Sequence, residues 1–322
     1  METKKQEENT KLKKKIIQMS CICLYLGGII IFSYPDIRAV ENSIRNNKVI
    51  REFEEHLENT KTDGSDSLQF GELRAVMENY NRQIYAERQE NLKDPWSYEQ
   101  SSIDLSDYGV ENNVVGVISI PKMDVELPIY LGAMQENMKS GAVLLGQTSF
   151  PLGENNSNSV IAAHRGWKGI PMFREIEKLS LGDTITIRNF WEILTYEVTE
   201  IKVIMPEDVH EILIQDNRDM VTLLTCHPYT QNTRRYVVFC EKVSSTAKEK
   251  EKEKSAAMGS WSEKIEISYE ADILKEKEDA EVIKREKTVR SVGYVILGIV
   301  GIMLIVINNI NGKVEAEQKS KQ

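Results

Sequence analysis

Residues 222–236 read Thr-Leu-Leu-Thr-Cys-His-Pro-Tyr-Thr-Gln-Asn-Thr-Arg-Arg-Tyr, TLLTCHPYTQNTRRY. An apolar run stops at Cys226, passes through Pro, Asn and Thr, and restarts behind Arg234 and Arg235. Pro and Asn are turn formers, so the segment reads as strand, turn, strand. Cys226 is then either a thiol buried at a strand end or a nucleophile presented at a sheet rim.

A cysteine attacks as its thiolate and needs a positive or proton-accepting neighbour. The sequence contains four histidines. His56 and His210 lie in acidic, exposed-looking stretches. His227 follows Cys226 directly, and adjacent strand residues point to opposite faces. His164 ends the apolar run Ser159-Val-Ile-Ala-Ala163 and opens into Arg165-Gly-Trp167, which suits a rim position. Arg235 begins the strand after Cys226. A hairpin folded at 228–233 returns it to Cys226, where a guanidinium can stabilise an oxyanion.

The rest of the chain supplies a frame for these groups. From Val114 onward, short Val-, Ile-, Thr- and Tyr-rich runs recur between Gly, Pro, Asn and Asp. They lie at 114–120, 125–130, 159–163, 184–188, 194–203, 221–225 and 235–243, and they predict a mostly β domain, a sandwich or a closed barrel. Short helices are expected at 134–139 and 171–179. Upstream, Phe70, Leu73, Met77, Tyr80 and Ile84 recur at helical spacing, predicting a helix over about 68–88. The stretch before it, 36–68, reads as polar. Asp94-Pro95-Trp96 follows the predicted helix, and the residue before a proline is pushed out of helical geometry.

Two apolar segments flank this unit. Residues 16–34 and 291–310 carry no charge over 19 and 20 residues, long enough to cross a bilayer as helices. A cleaved signal peptide is the competing reading of the first, but no small-x-small cleavage site follows it. Residues 1–15 are net +3 and residues 313–322 net +1, so the −9 total leaves −13 on the residues between. Lys-rich tails put both termini in the cytoplasm and residues 36–289 outside, although Lys284, Arg285, Lys287 and Arg290 run against that bias. The acidic body argues against a nucleic-acid partner. Residues 244–289 read as a charged linker, with the run Lys248–Lys254 at its start.

Cys21 and Cys23 fall within the first span, as lipid-facing residues or palmitoylation candidates. In an exported region the ordinary alternative for the other two is a Cys226–Cys240 disulfide. The apolar pattern Tyr236-Val-Val-Phe-Cys240 instead favours a small buried thiol. No His, Cys and Asp cluster stands at ligand spacing, so no metal or other cofactor is expected.

Taken together, Thr222-Leu-Leu-Thr-Cys226, Arg235 and Ala163-His164-Arg165-Gly166 resemble the signature of the sortases, membrane-anchored cysteine transpeptidases of Gram-positive bacteria. Gly116-Val-Ile-Ser-Ile-Pro121, Leu127-Pro-Ile-Tyr130, Gly141-Ala and Thr148-Ser-Phe-Pro151 carry the resemblance over residues 70–243. Within the family the chain is similar to the pilus-building class C. A second carboxy-terminal span, the turn Pro228-Tyr-Thr-Gln-Asn-Thr-Arg-Arg235 and the lid-like Asp94-Pro95-Trp96 carry that likeness.

The resemblance implies a closed eight-stranded barrel over 114–243. A helical and lid region fills 35–113, and two spans anchor the chain. It implies Cys226 as nucleophile, His164 as general acid and base, Arg235 as oxyanion and substrate stabiliser, and Asp94, Pro95 and Trp96 as lid. The implied reaction cleaves a Leu-Pro-x-Thr-Gly sorting signal after Thr through a thioester. A pilin lysine then accepts the acyl group, and isopeptide bonds join the pilins. A wall-anchoring sortase and a catalytically silent membrane-tethered binding module are the alternatives; a papain-like protease lacks its motif. The sequence departs from the class at Arg234, Leu144 and His227, which leaves open whether Arg234 or Arg235 faces the site.

Overall fold

The structure, a computed structural model, describes residues 2–62, 66–98, 103–110, 112–243 and 266–320. The predicted charged run Lys248–Lys254 lies outside the described residues. Two compact units emerge. Residues up to 37 and from 281 onward form one; residues 38–280 form the other.

The first unit holds two apolar helical stretches. They belong to α1 (Glu2–Thr62) and α4 (Glu266–Ser320). Both are long and apolar enough to cross a membrane. They touch through small and aromatic residues. A methyl group on Gly293 or Gly301 would collide with Phe32 or Tyr25. The glycines leave room for these rings, and small residues at helix contacts are a general device of packing in lipid. Phe32 meets Tyr294 edge-on at 5.0 Å, and the Tyr25 hydroxyl donates to the Leu297 carbonyl at 2.7 Å. Arg290 pairs with Asp36 at 3.2 Å.

Pro35 does not end the first helix; α1 continues through it to Thr62. The continuation has a physical reason in the second unit. Val49, Ile50, Phe53 and Leu57 form a helical stripe inside the charged run that reads as polar. Ile50 and Phe53 are buried, and Phe53 packs on Phe190 at 5.2 Å. Helix α2 (Asp66–Ala86) buries Phe70, Leu73, Met77 and Ile84, the stripe expected for it. Asn81 fixes its seat: its side chain donates to the Phe150 carbonyl at 3.1 Å and accepts from the Phe150 N–H at 2.8 Å.

Eight strands follow: β1 (Val114–Ile120), β2 (Val125–Leu131), β3 (Ala142–Leu144), β4 (Ser157–Ala162), β5 (Thr184–Arg188), β6 (Ile193–Ile204), β7 (Asp219–His227) and β8 (Arg234–Lys242). One short helix, α3 (Gln135–Ser140), precedes β3, and single 3-10 turns occur at 95–97 and 176–178. The strands close into a barrel in the order β1-β2-β3-β4-β7-β8-β6-β5. Large side chains are fully buried in and against its wall, among them Ile118, Ile129, Phe173, Tyr196, Tyr236 and Phe239.

Two pairings matter for function. Strands β4 and β7 run parallel, Ile161 opposite Leu223 and Ala162 opposite Leu224. Strands β7 and β8 run antiparallel, with Cys226 opposite Arg235 and His227 opposite Arg234. Parallel neighbours end on the same rim, and a hairpin returns its second strand to the end of the first. The exit of β4, the exit of β7 and the entry of β8 therefore share one edge of the barrel.

Candidate active site

That edge collects the three residues singled out in sequence. The chain leaves β4 through Ala163, whose N–H bonds the Leu224 carbonyl at 3.2 Å and whose carbonyl accepts from the Thr225 hydroxyl at 2.7 Å. These bonds lock the His164 backbone beside the end of β7. Cys226 is 7% exposed there, and Arg235 is equally buried. The Arg235 guanidinium reaches the Cys226 Sγ at 3.8 Å. Its Nη1 also bonds the carbonyls of Asn232 and Arg234 at 3.3 and 2.9 Å, so the hairpin turn aims it. Arg235 is the arginine turned to the site; Arg234 pairs across from His227 on the other face.

Asp94, Pro95 and Trp96 cover this edge. Asp94 caps its own 3-10 turn by accepting from the Trp96 N–H at 3.1 Å. The same carboxylate takes two hydrogen bonds from Arg235, Nε at 2.5 Å and Nη2 at 2.9 Å. Such a two-pronged pair is among the stronger side-chain contacts. The Trp96 ring lies 4.5 Å from the Arg235 guanidinium carbon and 6.1 Å from the His164 ring. Trp96 thus rests on the histidine and the arginine together.

Burial sets the protonation of the site. It pushes the Cys226 thiol up to about 11; the charges of Arg235 and Arg165 pull the other way, and Asp94 adds to the rise. Burial also pushes His164 down to about 4. Near neutral pH the covered site therefore holds a thiol and a neutral imidazole, not an ion pair.

Two further residues of the site were not singled out in sequence. Trp167 stacks on His164, centroids 4.6 Å apart and planes within 17°. A two-way backbone bridge between Trp167 and Ile170 at 2.8 Å holds it there. A tryptophan three residues after a strand-end histidine was the available signal. Arg165 is buried behind Cys226. It donates to the Cys226 carbonyl at 3.3 Å and meets His227 Nδ1 at 2.7 Å. It also pairs with Glu177, and with Asp279 of α4 at 3.2 Å.

Glu177, His227 and Asp279 bring donor atoms within 4.8 Å of one another. Their wide separation in sequence hides this cluster from any spacing rule. The Arg165 guanidinium contacts all three. His227 belongs to this cluster and is fully buried, 5.7 Å from the Tyr236 ring. All four cysteines are free, and Cys240 is buried in the barrel wall opposite Val221. His56 packs on Phe70 and His210 is exposed, both away from this edge.

Comparison with known proteins agrees with this geometry. A family model described as Sortase domain matches residues 118–243. The curated "Sortase A" of Bacillus anthracis is 31% identical over 138 residues, which cover 43% of this chain and 64% of that protein. The chain thus spans somewhat under two thirds of that relative's length. Among solved structures, Streptococcus agalactiae Sortase C1 superposes with a TM-score of 0.55 at 29% identity, covering 61% of this chain and 97% of that one. A structure titled "Pilus-related Sortase C of Group B Streptococcus" gives 0.51 at 31% identity, covering 56% and 92%. The closed eight-stranded barrel, the rim it builds and these likenesses lead to one assignment: the chain belongs to the sortase family.

Proposed function

We propose that this protein is a membrane-anchored class C sortase, a cysteine transpeptidase that joins pilin subunits. The observation that carries the reading is the shared rim, with Arg235 3.8 Å from the Cys226 sulfur and His164 fixed beside β7 by the Ala163–Thr225 bond. Cys226 as thiolate attacks the Thr carbonyl of a Leu-Pro-x-Thr-Gly signal. Arg235 donates to the developing oxyanion. The Thr–Gly C–N bond breaks as His164 gives a proton to the departing Gly amine, leaving a thioester on Cys226. A pilin lysine then attacks that thioester. His164 takes the proton from its amine and Cys226 leaves as thiolate, so the product is an isopeptide bond.

The lid explains how the site rests. With Asp94 on Arg235, the oxyanion donor is occupied, and the buried thiol and imidazole are both neutral. Displacing Asp94–Trp96 frees the guanidinium and rehydrates both groups, which moves their protonation toward the reactive pair. The lid and the second apolar helix favour the pilus class over wall anchoring. The Lys-rich tails flanking the two apolar helices support a topology with both termini in the cytoplasm and the barrel outside. The test is the acceptor. Enzyme mixed with purified pilin should build a ladder of high-mass covalent species, and a peptidoglycan amine should not outcompete the pilin lysine. A clear preference for the peptidoglycan amine would move the assignment to wall anchoring.

A further inference from the structure

Asp279 of α4 lies at the back of the catalytic edge. Its Oδ2 accepts from the Tyr229 N–H at 2.7 Å and lies 3.2 Å from Arg165 and 3.5 Å from His227 Nδ1. The residue is 6% exposed. Tyr229 follows Pro228 in the turn that connects β7 to β8. Within that turn the Pro228 carbonyl accepts from Gln231 and Asn232 at 3.2 and 3.0 Å. The Asn232 carbonyl in turn receives Arg235 Nη1. One carboxylate thus holds Tyr229 in the turn whose Asn232 carbonyl aims the oxyanion donor. The same carboxylate shares Arg165 with Glu177, and Arg165 grips the Cys226 carbonyl.

We propose that Asp279 is a positioning residue for the Cys226–Arg235 pair, acting through the turn after β7 and through Arg165. This inference rests on the reading of Cys226 as nucleophile. Among the described residues, the titratable or charged groups facing Asp279 are Arg165, Glu177 and His227. Those facing Cys226 are Arg235, Asp94 and Arg165. The guanidinium of Arg165 also lies 5.9 Å from the Tyr236 ring, which fixes it from the barrel side. A carboxylate lost at 279 leaves the Tyr229 N–H and Arg165 each short of an acceptor inside a buried cluster. The turn then relaxes, and a reacting group displaced by about an ångström loses much of its effect on rate.

The experiment uses the full-length enzyme in detergent with a Leu-Pro-x-Thr-Gly peptide. It follows growth of the Cys226 thioester in a single turnover and, separately, alkylation of Cys226 by iodoacetamide. Asp279→Ala should slow the saturating rate of thioester formation about tenfold and leave the half-saturating peptide concentration and the alkylation rate within about threefold. Asp279→Asn keeps an acceptor for the Tyr229 N–H and should recover much of that rate. Wild-type thioester kinetics in Asp279→Ala would overturn the proposal. So would both variants losing thioester formation, alkylation and thermal midpoint together, which marks a contribution to folding alone. A wild-type enzyme that forms no thioester on Cys226 would instead overturn the reading of the site itself.

Discussion

Release of the lid is the perturbation whose consequence can be worked out most fully. In the closed structure one guanidinium is shared between Asp94, Trp96 and the Cys226 sulfur. Two charge-assisted hydrogen bonds and a ring contact hold the lid shut. Each bond to a charged group contributes about 1.5–3 kcal/mol when buried, and exposure of the Asp94 edge lowers that. Asp94→Ala with Trp96→Ala removes all of it. Covered, the thiol stands at about 11 against an ordinary value of 9.0. Bringing it back to 9 raises the thiolate fraction at neutral pH about 100-fold, ten for each step in pKa. A less basic thiolate is also a weaker nucleophile, with a Brønsted slope near 0.4–0.5, which takes back about tenfold. The net expectation is about a tenfold faster reaction of Cys226 with a disulfide reagent, before any gain in access. The assay is the rate of modification against pH, read on the Cys226 peptide so that Cys21, Cys23 and Cys240 do not contribute. The midpoint of the profile should fall from near 11 toward 9 in the double variant. A rate within about twofold of wild type and an unmoved midpoint would refute the reasoning, since neither burial nor the Asp94 charge would then control the thiol.

The other predictions are narrower. Arg235→Lys keeps the charge but loses the two-pronged pair with Asp94 and the reach to the sulfur; thioester formation should fall about 10²-fold, and an unchanged rate would remove the arginine from the mechanism. His164 has its folded pKa lowered to about 4 from 6.5. The unfolded chain therefore takes up the proton first, and stability present above pH 6.5 is lost as pH falls toward 4. Urea unfolding at pH 7 and pH 5 should show that loss, and His164→Gln should show less of it. Asn81→Ala strips both backbone partners from Phe150 in a buried seam, and should lower stability by about 1–3 kcal/mol in urea unfolding. A change under about 0.5 kcal/mol would mean that water or repacking satisfies Phe150.

The parts of this structure that were legible in sequence are those with a local signal. Seven of the strands announce themselves by β-branched residues between turn formers, and the α2 stripe falls at helical spacing. Strand β3 does not: Ala142–Leu144 is three residues long, too short to show a period. Barrel closure followed from the family resemblance, whereas the strand pattern alone left a sandwich or a barrel open, for another reason. Closure depends on the parallel β2–β3 and β4–β7 pairings, which join distant segments and leave no trace in either one. The stripe Val49, Ile50, Phe53, Leu57 was present but sits in a run of charges that masks it. At the site, the turn chemistry after Cys226 predicted the return of Arg235. Arg165 could not be read in the same way. Its partners are Glu177, His227 and Asp279, and only the folded barrel brings them around one guanidinium.

The most direct measurement is intact mass of the full-length enzyme after mixing with a Leu-Pro-x-Thr-Gly peptide, followed by peptide mapping. The account predicts a thioester on Cys226, carrying the peptide up to its Thr, with the Gly-led fragment released. Cys226→Ala should form none, and His164→Ala and Arg235→Ala should form it far more slowly. An adduct on another residue, or cleavage of the peptide by Cys226→Ala at the wild-type rate, would contradict the claim that this rim is the catalytic centre.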